Sequence, residues 1–153
     1  MSVQLVVFAL DNEEYGIDVL AVNGILRAKK FKIQALPGAE KSVEGMINLR
    51  GNVNYIFNLR SKFNLIEAEI SDESKFIMLN VNNATVGCIV DEVTDIVKLD
   101  DDEIQGAPAF ISGNNKYITG VAKFDDRMII ILDPEKIFAV EVDSIIEENG
   151  TKS

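Results

Sequence analysis

The sequence predicts a mainly β chain built as two small closed barrels, side by side, with a helix near the C-terminus. Three observations carry this. The chain is written twice: a shift of 71 residues lays Leu5-Val6-Val7-Phe8 on Phe76-Ile77-Met78-Leu79, Gly16 on Gly87, Val22 on Val93, Ile25 on Ile96 and Pro37 on Pro108. After extra residues in the second copy, a shift of 75 lays Gly45 on Gly120, Ile56 on Ile131 and Phe63 on Phe138. Self-similarity at a long fixed period marks a duplicated structural unit. Each copy also reads as about five short apolar runs bounded by turn residues. Short strands joined by tight turns favour closure, because a barrel leaves no unpaired edge.

Val3–Leu10 is a β-rich run, Asp11-Asn12-Glu13 supplies a turn and Tyr15–Val19 returns, so the chain opens on a hairpin. Val22–Leu26 is a third short segment. Ala28–Lys32 is polar and basic, and Leu36-Pro37-Gly38 signals a loop. Met46–Leu49 and Val53–Phe57 are strands joined through Arg50-Gly51-Asn52, where glycine gives the turn its freedom. Asn58 caps a helical turn running to Phe63. The polar segment Glu67–Ser74 is the seam between the copies. A single domain over 1–153 therefore divides into subdomain 1, about 1–70, and subdomain 2, about 71–138, with exchange of strands near the seam left open. The second copy repeats the order in Phe76–Val81, Thr85–Val90, Val93–Val97, Tyr117–Phe124 and Met128–Leu132, with its extra residues in the loop Ile111–Asn115. Asp133 as N-cap and Pro134 at the first position start a helix expected over about 134–148. Phe138, Val142, Ile145 and Ile146 give it a partial apolar stripe.

Composition narrows the function. The chain is 47% hydrophobic, enough for a real core, and its net charge of −10 argues against nucleic acid and anionic membrane surfaces. It has no histidine, which removes the commonest general base and metal ligand. The single Cys88, flanked by Val86, Gly87, Ile89 and Val90, reads as a small core residue. No signal peptide and no apolar stretch of transmembrane length are visible, so a soluble, cytoplasmic protein is expected. Asp11, Glu13, Glu14 and Asp18 are candidate paired carboxylates, but Asp11–Glu14 fall in a hairpin turn, where acids are solvated. The run Asp100-Asp101-Asp102-Glu103 is the nearest thing to a cation site and reads as a solvated loop without the spaced oxygens and turn glycine that calcium needs. Nothing assembles a catalytic set, a metal site or a cofactor site.

Arg50 stands out by comparison between the copies, because the equivalent turn uses Asp125-Asp126. The turn itself therefore does not require Arg-Gly. An idle surface charge and a recognition fork for a carboxylate or carbonyl are both open on these residues.

Gly45-Met46-Ile47-Asn48-Leu49-Arg50-Gly51, followed by Ile56-Phe57-Asn58-Leu59-Arg60, resembles a signature of CheW-type chemotaxis coupling proteins. Phe8, Leu10 and Glu14–Asp18, Val86-Gly87 with Val90-Asp91, and Gly120–Met128 extend the resemblance from about Val3 to Phe138. It implies two five-stranded SH3-like barrels and a non-enzymatic adaptor. The implied partners are the cytoplasmic tip of chemoreceptors, in a groove between the barrels, and the regulatory domain of the histidine kinase CheA, docked barrel end to barrel end in rings. The implied location is cytoplasmic, held at membrane receptor arrays through those partners. Carried over by position, Val22, Gly24, Ile25, Arg50 and Val86 are receptor candidates, and Ile47, Val53 and Ile56 are kinase candidates. For the apolar members barrel core is the competing reading. The sequence departs from the family pattern at Gly24, where glutamate is frequent, at Tyr55, where proline is usual, and at Asn58 and Asn64. Two other functions stay in view: a CheW-like regulatory module of a kinase or a variant adaptor outside a standard array, and a small-ligand-binding barrel.

Overall fold

The computed structural model describes residues 2–107 and 117–139. In chain order the strands are β1 (Ser2–Leu10), β2 (Glu13–Asp18), β3 (Val22–Arg27), β4 (Val43–Leu49), β5 (Asn52–Asn58), β6 (Lys75–Val81), β7 (Ala84–Val90), β8 (Glu92–Asp100), β9 (Ile104–Gly106), β10 (Ile118–Phe124) and β11 (Arg127–Leu132). Two single-turn helices, α1 (Leu59–Lys62) and α2 (Pro134–Ile137), follow β5 and β11 at equivalent places in the repeat.

The strands form two sheets, ordered β8-β1-β2-β11-β10-β9 and β3-β6-β7-β5-β4. Each sheet draws on both copies. The hairpin β1–β2 of the first copy pairs with β8 and β11 of the second, and the hairpin β6–β7 of the second pairs with β3 and β5 of the first. The seam of the sequence repeat and the seam between the sheets therefore do not coincide: β3 to β7 is one continuous stretch of chain, and the first sheet is made from the segments on either side of it. The exchange is closed by two short parallel contacts, Glu14–Gly16 against Ile129–Ile131 and Ile56–Asn58 against Gly87–Ile89.

Packing explains why the apolar runs are continuous instead of alternating. Val6, Phe8 and Leu10 of β1 face a central core shared with Ile77, Leu79 and Val81 of β6. The intervening Leu5 and Val7 point the other way, into a second cluster with Val97 and Leu99 of β8, Ala122 of β10 and Ile129 of β11. Those strands are not all neighbours, so the sheet must curl on itself to bring them together, as a barrel does. Phe76 and Met78 of β6 do the same in the other barrel, with Ala28, Ile47 and Ile56. Both faces of β1 and β6 are thus buried, and a strand buried on both faces reads as an unbroken hydrophobic run. At roughly 1.5–3 kcal/mol for each fully buried large side chain, the central core binds the barrels far more strongly than any polar contact across them.

The repeat also persists in local detail. Gln34 bridges to Met46 in one barrel, and the equivalent Gln105 pairs with Val121 in the other. A Cβ on Gly45 would meet the Gln34 carbonyl, and one on Gly120 would lie 2.5 Å from the Gln105 carbonyl oxygen, so both crossings need glycine. Asn58 Oδ1 accepts the Arg60 N–H at 2.8 Å at the head of α1, and Asp133 Oδ1 accepts the Glu135 N–H at 3.0 Å at the head of α2. The rest of the helix expected to 148, including Val142, Ile145 and Ile146, and the loop Ile111–Asn115 lie outside the described residues. Cys88 is fully buried in the central core, and desolvation pushes its thiol up to about 12.

Candidate interaction surface

A groove with a volume of about 830 Å³ lies on the barrel formed by β3–β7. The resemblance implied a groove between the barrels; this one is the mouth of a single barrel. Edge strand β3 forms one wall, with the β4–β5 turn opposite and the start of β7 completing the rim. Ile25, Leu26, Leu49, Val53, Tyr55 and Met78 make it partly apolar, and among the described residues Arg50 is the only charged side chain lining it.

Four of the residues singled out in the sequence converge there. Gly24 and Ile25 come from β3, Arg50 from the β4–β5 turn and Val53 from β5. Val53 is 59% exposed and Ile25 37%. Val22 is half-buried and packs on the central core. Val86, Ile47 and Ile56 are core residues, at 0%, 2% and 0% exposure. Their side chains present no surface, and they bear on the groove only by fixing the strands that line it. Tyr55 is half-buried, packed on the central core at one edge and lining the groove at another.

The backbone at Arg50 is informative. Its φ is +54°, in the left-handed region, followed by Gly51 at +84°. Two positive φ values in a two-residue loop fit the primed turns that match strand twist. Asn48 Oδ1 accepts the Gly51 N–H at 3.0 Å and secures the turn. The other non-glycine residues at positive φ among the described residues are Asp11, Asn12, Asn64, Asn82, Asn83 and Asp125, all of the types that tolerate this conformation. Arginine there is unfavourable by roughly 1–2 kcal/mol relative to a right-handed residue. No hydrogen bond or ion pair engages its guanidinium among the described residues. Its fork of donors is therefore unused within the described residues.

Two other arginines are used structurally, and sequence reasoning assigned neither a role. Arg60 forks onto Asp91, Nε to Oδ1 at 2.9 Å and Nη2 to Oδ2 at 2.5 Å, and donates Nη1 to the Ile66 carbonyl at 2.6 Å. Asp91 Oδ2 also accepts the Asp11 N–H at 2.9 Å, so this clamp ties α1, the end of β7 and the β1–β2 turn together. Burial raises the Asp91 carboxyl, but the Arg60 fork and the Asp11 N–H outweigh it and hold it below the usual carboxylate range. Arg127 forks twice, onto Glu14 at 2.8 and 2.6 Å and onto Asp95 at 2.9 and 2.8 Å. Its hydrogen bonds lower both carboxyls and raise the guanidinium. The partners lie 31, 32 and 113 residues away in sequence, which hid both networks.

Of the four candidate paired carboxylates, Asp18 caps the turn that follows it by accepting the Leu20 N–H at 3.0 Å, and Glu14 belongs to the Arg127 network. In the run Asp100–Glu103, Glu103 accepts the Asp100 N–H at 2.9 Å, and the segment caps its own 3-10 turn. No helix among the described residues is long and apolar enough to cross a membrane.

Comparison with known proteins agrees with this architecture. The family model described as the CheW-like domain matches residues 4–142. A chemotaxis protein CheW of Treponema pallidum is 36% identical over 141 residues, covering 89% of this chain and 82% of the relative. One from Bacillus subtilis is 34% identical over 139 residues, covering 90% and 88%. The crystal structure of the scaffolding protein TtCheW from Thermoanaerobacter tengcongensis superposes with a TM-score of 0.83 at 30% identity, covering 90% of this chain and 93% of that one. The family match across residues 4–142, the relatives at 34–36% identity and the shared fold place the chain plainly: it belongs to the CheW-like domain family.

Proposed function

We propose that the chain is a non-enzymatic coupling adaptor of chemotaxis that joins the cytoplasmic tips of chemoreceptors to the histidine kinase CheA. The observation that carries this reading is Arg50, held unpaired among the described residues in a left-handed turn at the rim of the 830 Å³ groove. A receptor helix would lay an apolar stripe on Ile25, Leu49 and Tyr55 and offer a carboxylate to Arg50. Being composed of apolar, amide and hydroxyl groups around one arginine, the groove lacks the nucleophile–base pair that a reaction would need.

The kinase contact belongs at the barrel ends. Exposed apolar residues occur there in a repeat-related pair, Val53 on one barrel and Met128 on the other. Val53 is the reachable kinase candidate, while Ile47 and Ile56 hold its hairpin in place. Receptor state would be passed on by changing the strength or geometry of these contacts. The location that follows is cytoplasmic, at receptor arrays, through partners. Co-sedimentation with receptor-bearing membranes, with and without the kinase regulatory domain, tests the reading: the chain should pellet with receptor alone and carry the kinase domain down with it.

A further inference from the structure

The mouth of one barrel is plugged, and the equivalent mouth of the other is open. In the first, Arg127 at the start of β11 lies between Glu14 of β2 and Asp95 of β8 and forks into both. Under the sequence repeat Arg127 corresponds to Asn52 at the start of β5, Glu14 to Thr85 of β7 and Asp95 to Gly24 of β3. The correspondence holds in the backbone. Strand pairing slips at the same point in both barrels, between Val93↔Phe8 and Asp95↔Val7 in one and between Val22↔Leu79 and Gly24↔Met78 in the other. A polar link recurs as well: the Thr94 hydroxyl reaches Glu14 at 3.3 Å, and the Asn23 amide reaches the Thr85 hydroxyl at 3.4 Å. Gly24, Asn52 and Thr85 all line the groove. The groove therefore occupies the place that an ion network fills in the sister barrel.

Gly24 is not demanded by the fold. A Cβ built there meets nothing within 4 Å, its φ is ordinary, and the sister position carries an aspartate. Glycine within a strand weakens it and often marks a place where something from outside approaches closely.

We propose that the missing plug determines what the groove accepts: a large uncharged side chain of the partner helix fills the space that Arg127 fills in the sister barrel, while a carboxylate of the same helix meets Arg50. The walls set this chemistry. Ile25, Leu26 and Met78 are apolar, and Asn52 and Thr85 are polar but uncharged, so a cation entering the notch finds no counter-charge and an anion finds one only at Arg50. The inference rests on the groove being the receptor site.

The test restores the plug in the triple variant Gly24→Asp, Asn52→Arg, Thr85→Glu. The probe is a soluble helical hairpin carrying the chemoreceptor tip. The variant should fold with a thermal midpoint at or above the parent's and bind the hairpin at least about tenfold more weakly, a change of about 1.4 kcal/mol. Gly24→Val alone introduces no buried charge; it should also keep its midpoint and lose binding, which covers a triple variant that fails to fold. A parent chain that does not bind the hairpin overturns the receptor reading itself. A parent that binds, with a folded plugged or Gly24→Val variant that binds equally well, overturns this inference and leaves the receptor reading standing.

Discussion

Replacing Arg50 by glycine should leave the protein at least as stable and make it less functional. The left-handed turn disfavours a residue with a Cβ by roughly 1–2 kcal/mol, and Arg50 sits there at φ +54°. Glycine removes that penalty but gains freedom in the unfolded chain, which takes back about 0.5–1 kcal/mol. A net gain of about 0–1.5 kcal/mol leaves Tm unchanged or raises it by up to about 6 °C for a chain of this size. No contact is lost in the free protein, since the guanidinium engages nothing among the described residues. Binding should fall. A charge-assisted hydrogen bond contributes about 1.5–3 kcal/mol, so the receptor hairpin should bind about 10- to 150-fold more weakly. Thermal unfolding followed by circular dichroism and titration calorimetry on one preparation measure both. A fall in Tm with binding intact would show that Arg50 serves the turn and not the partner, and the reasoning from its backbone would be refuted.

Other consequences follow from the ion networks and the topology. Glu14, Asp91 and Asp95 all titrate below their ordinary values; their stabilisation should be complete above the unfolded carboxylate range, near pH 4, and be lost as pH falls through the lower folded values. Urea midpoints between pH 7 and pH 2.5 should drop steeply in the acid range, and less steeply in Arg127→Gln. Arg60→Lys should destabilise by about 1–3 kcal/mol in urea unfolding, because an ammonium cannot replace a fork that meets both Asp91 oxygens and the Ile66 carbonyl. A chain with a protease site inserted between Ile66 and Ile70 should, once cut, still run as one particle in size exclusion, because β6 and β7 lie between β3 and β5; separation of the pieces under native conditions would contradict the exchanged pairing.

Much of the fold was legible because duplication is visible without any structure. Leu5–Phe8 and Phe76–Leu79 announced strands by position and composition alike. Their pairing was not legible. An apolar run buried on both faces does not say which neighbour covers which face, and the hairpins crossed between copies through contacts distant in sequence. The same ambiguity explains Val86, Ile47 and Ile56: in such a strand an apolar side chain looks alike whether it faces core or partner, and these three face core. Arg50 stands out in the sequence because the sister turn lacks it. Gly24 stands out only as a departure from a family pattern, and the contrast with Asp95, held by Arg127 in the sister barrel, is visible only in the structure.

The most direct test of the central claim is reconstitution of kinase control. Purified CheA and receptor-bearing membranes are mixed with and without this chain, and phosphoryl transfer from ATP to the kinase is followed as attractant is added. The adaptor account requires that attractant-sensitive kinase activity appear only when the chain is present, and that Arg50→Ala sharply reduce it. Kinase activity that ignores both the chain and the attractant, with the chain folded and the receptors intact, would contradict the account.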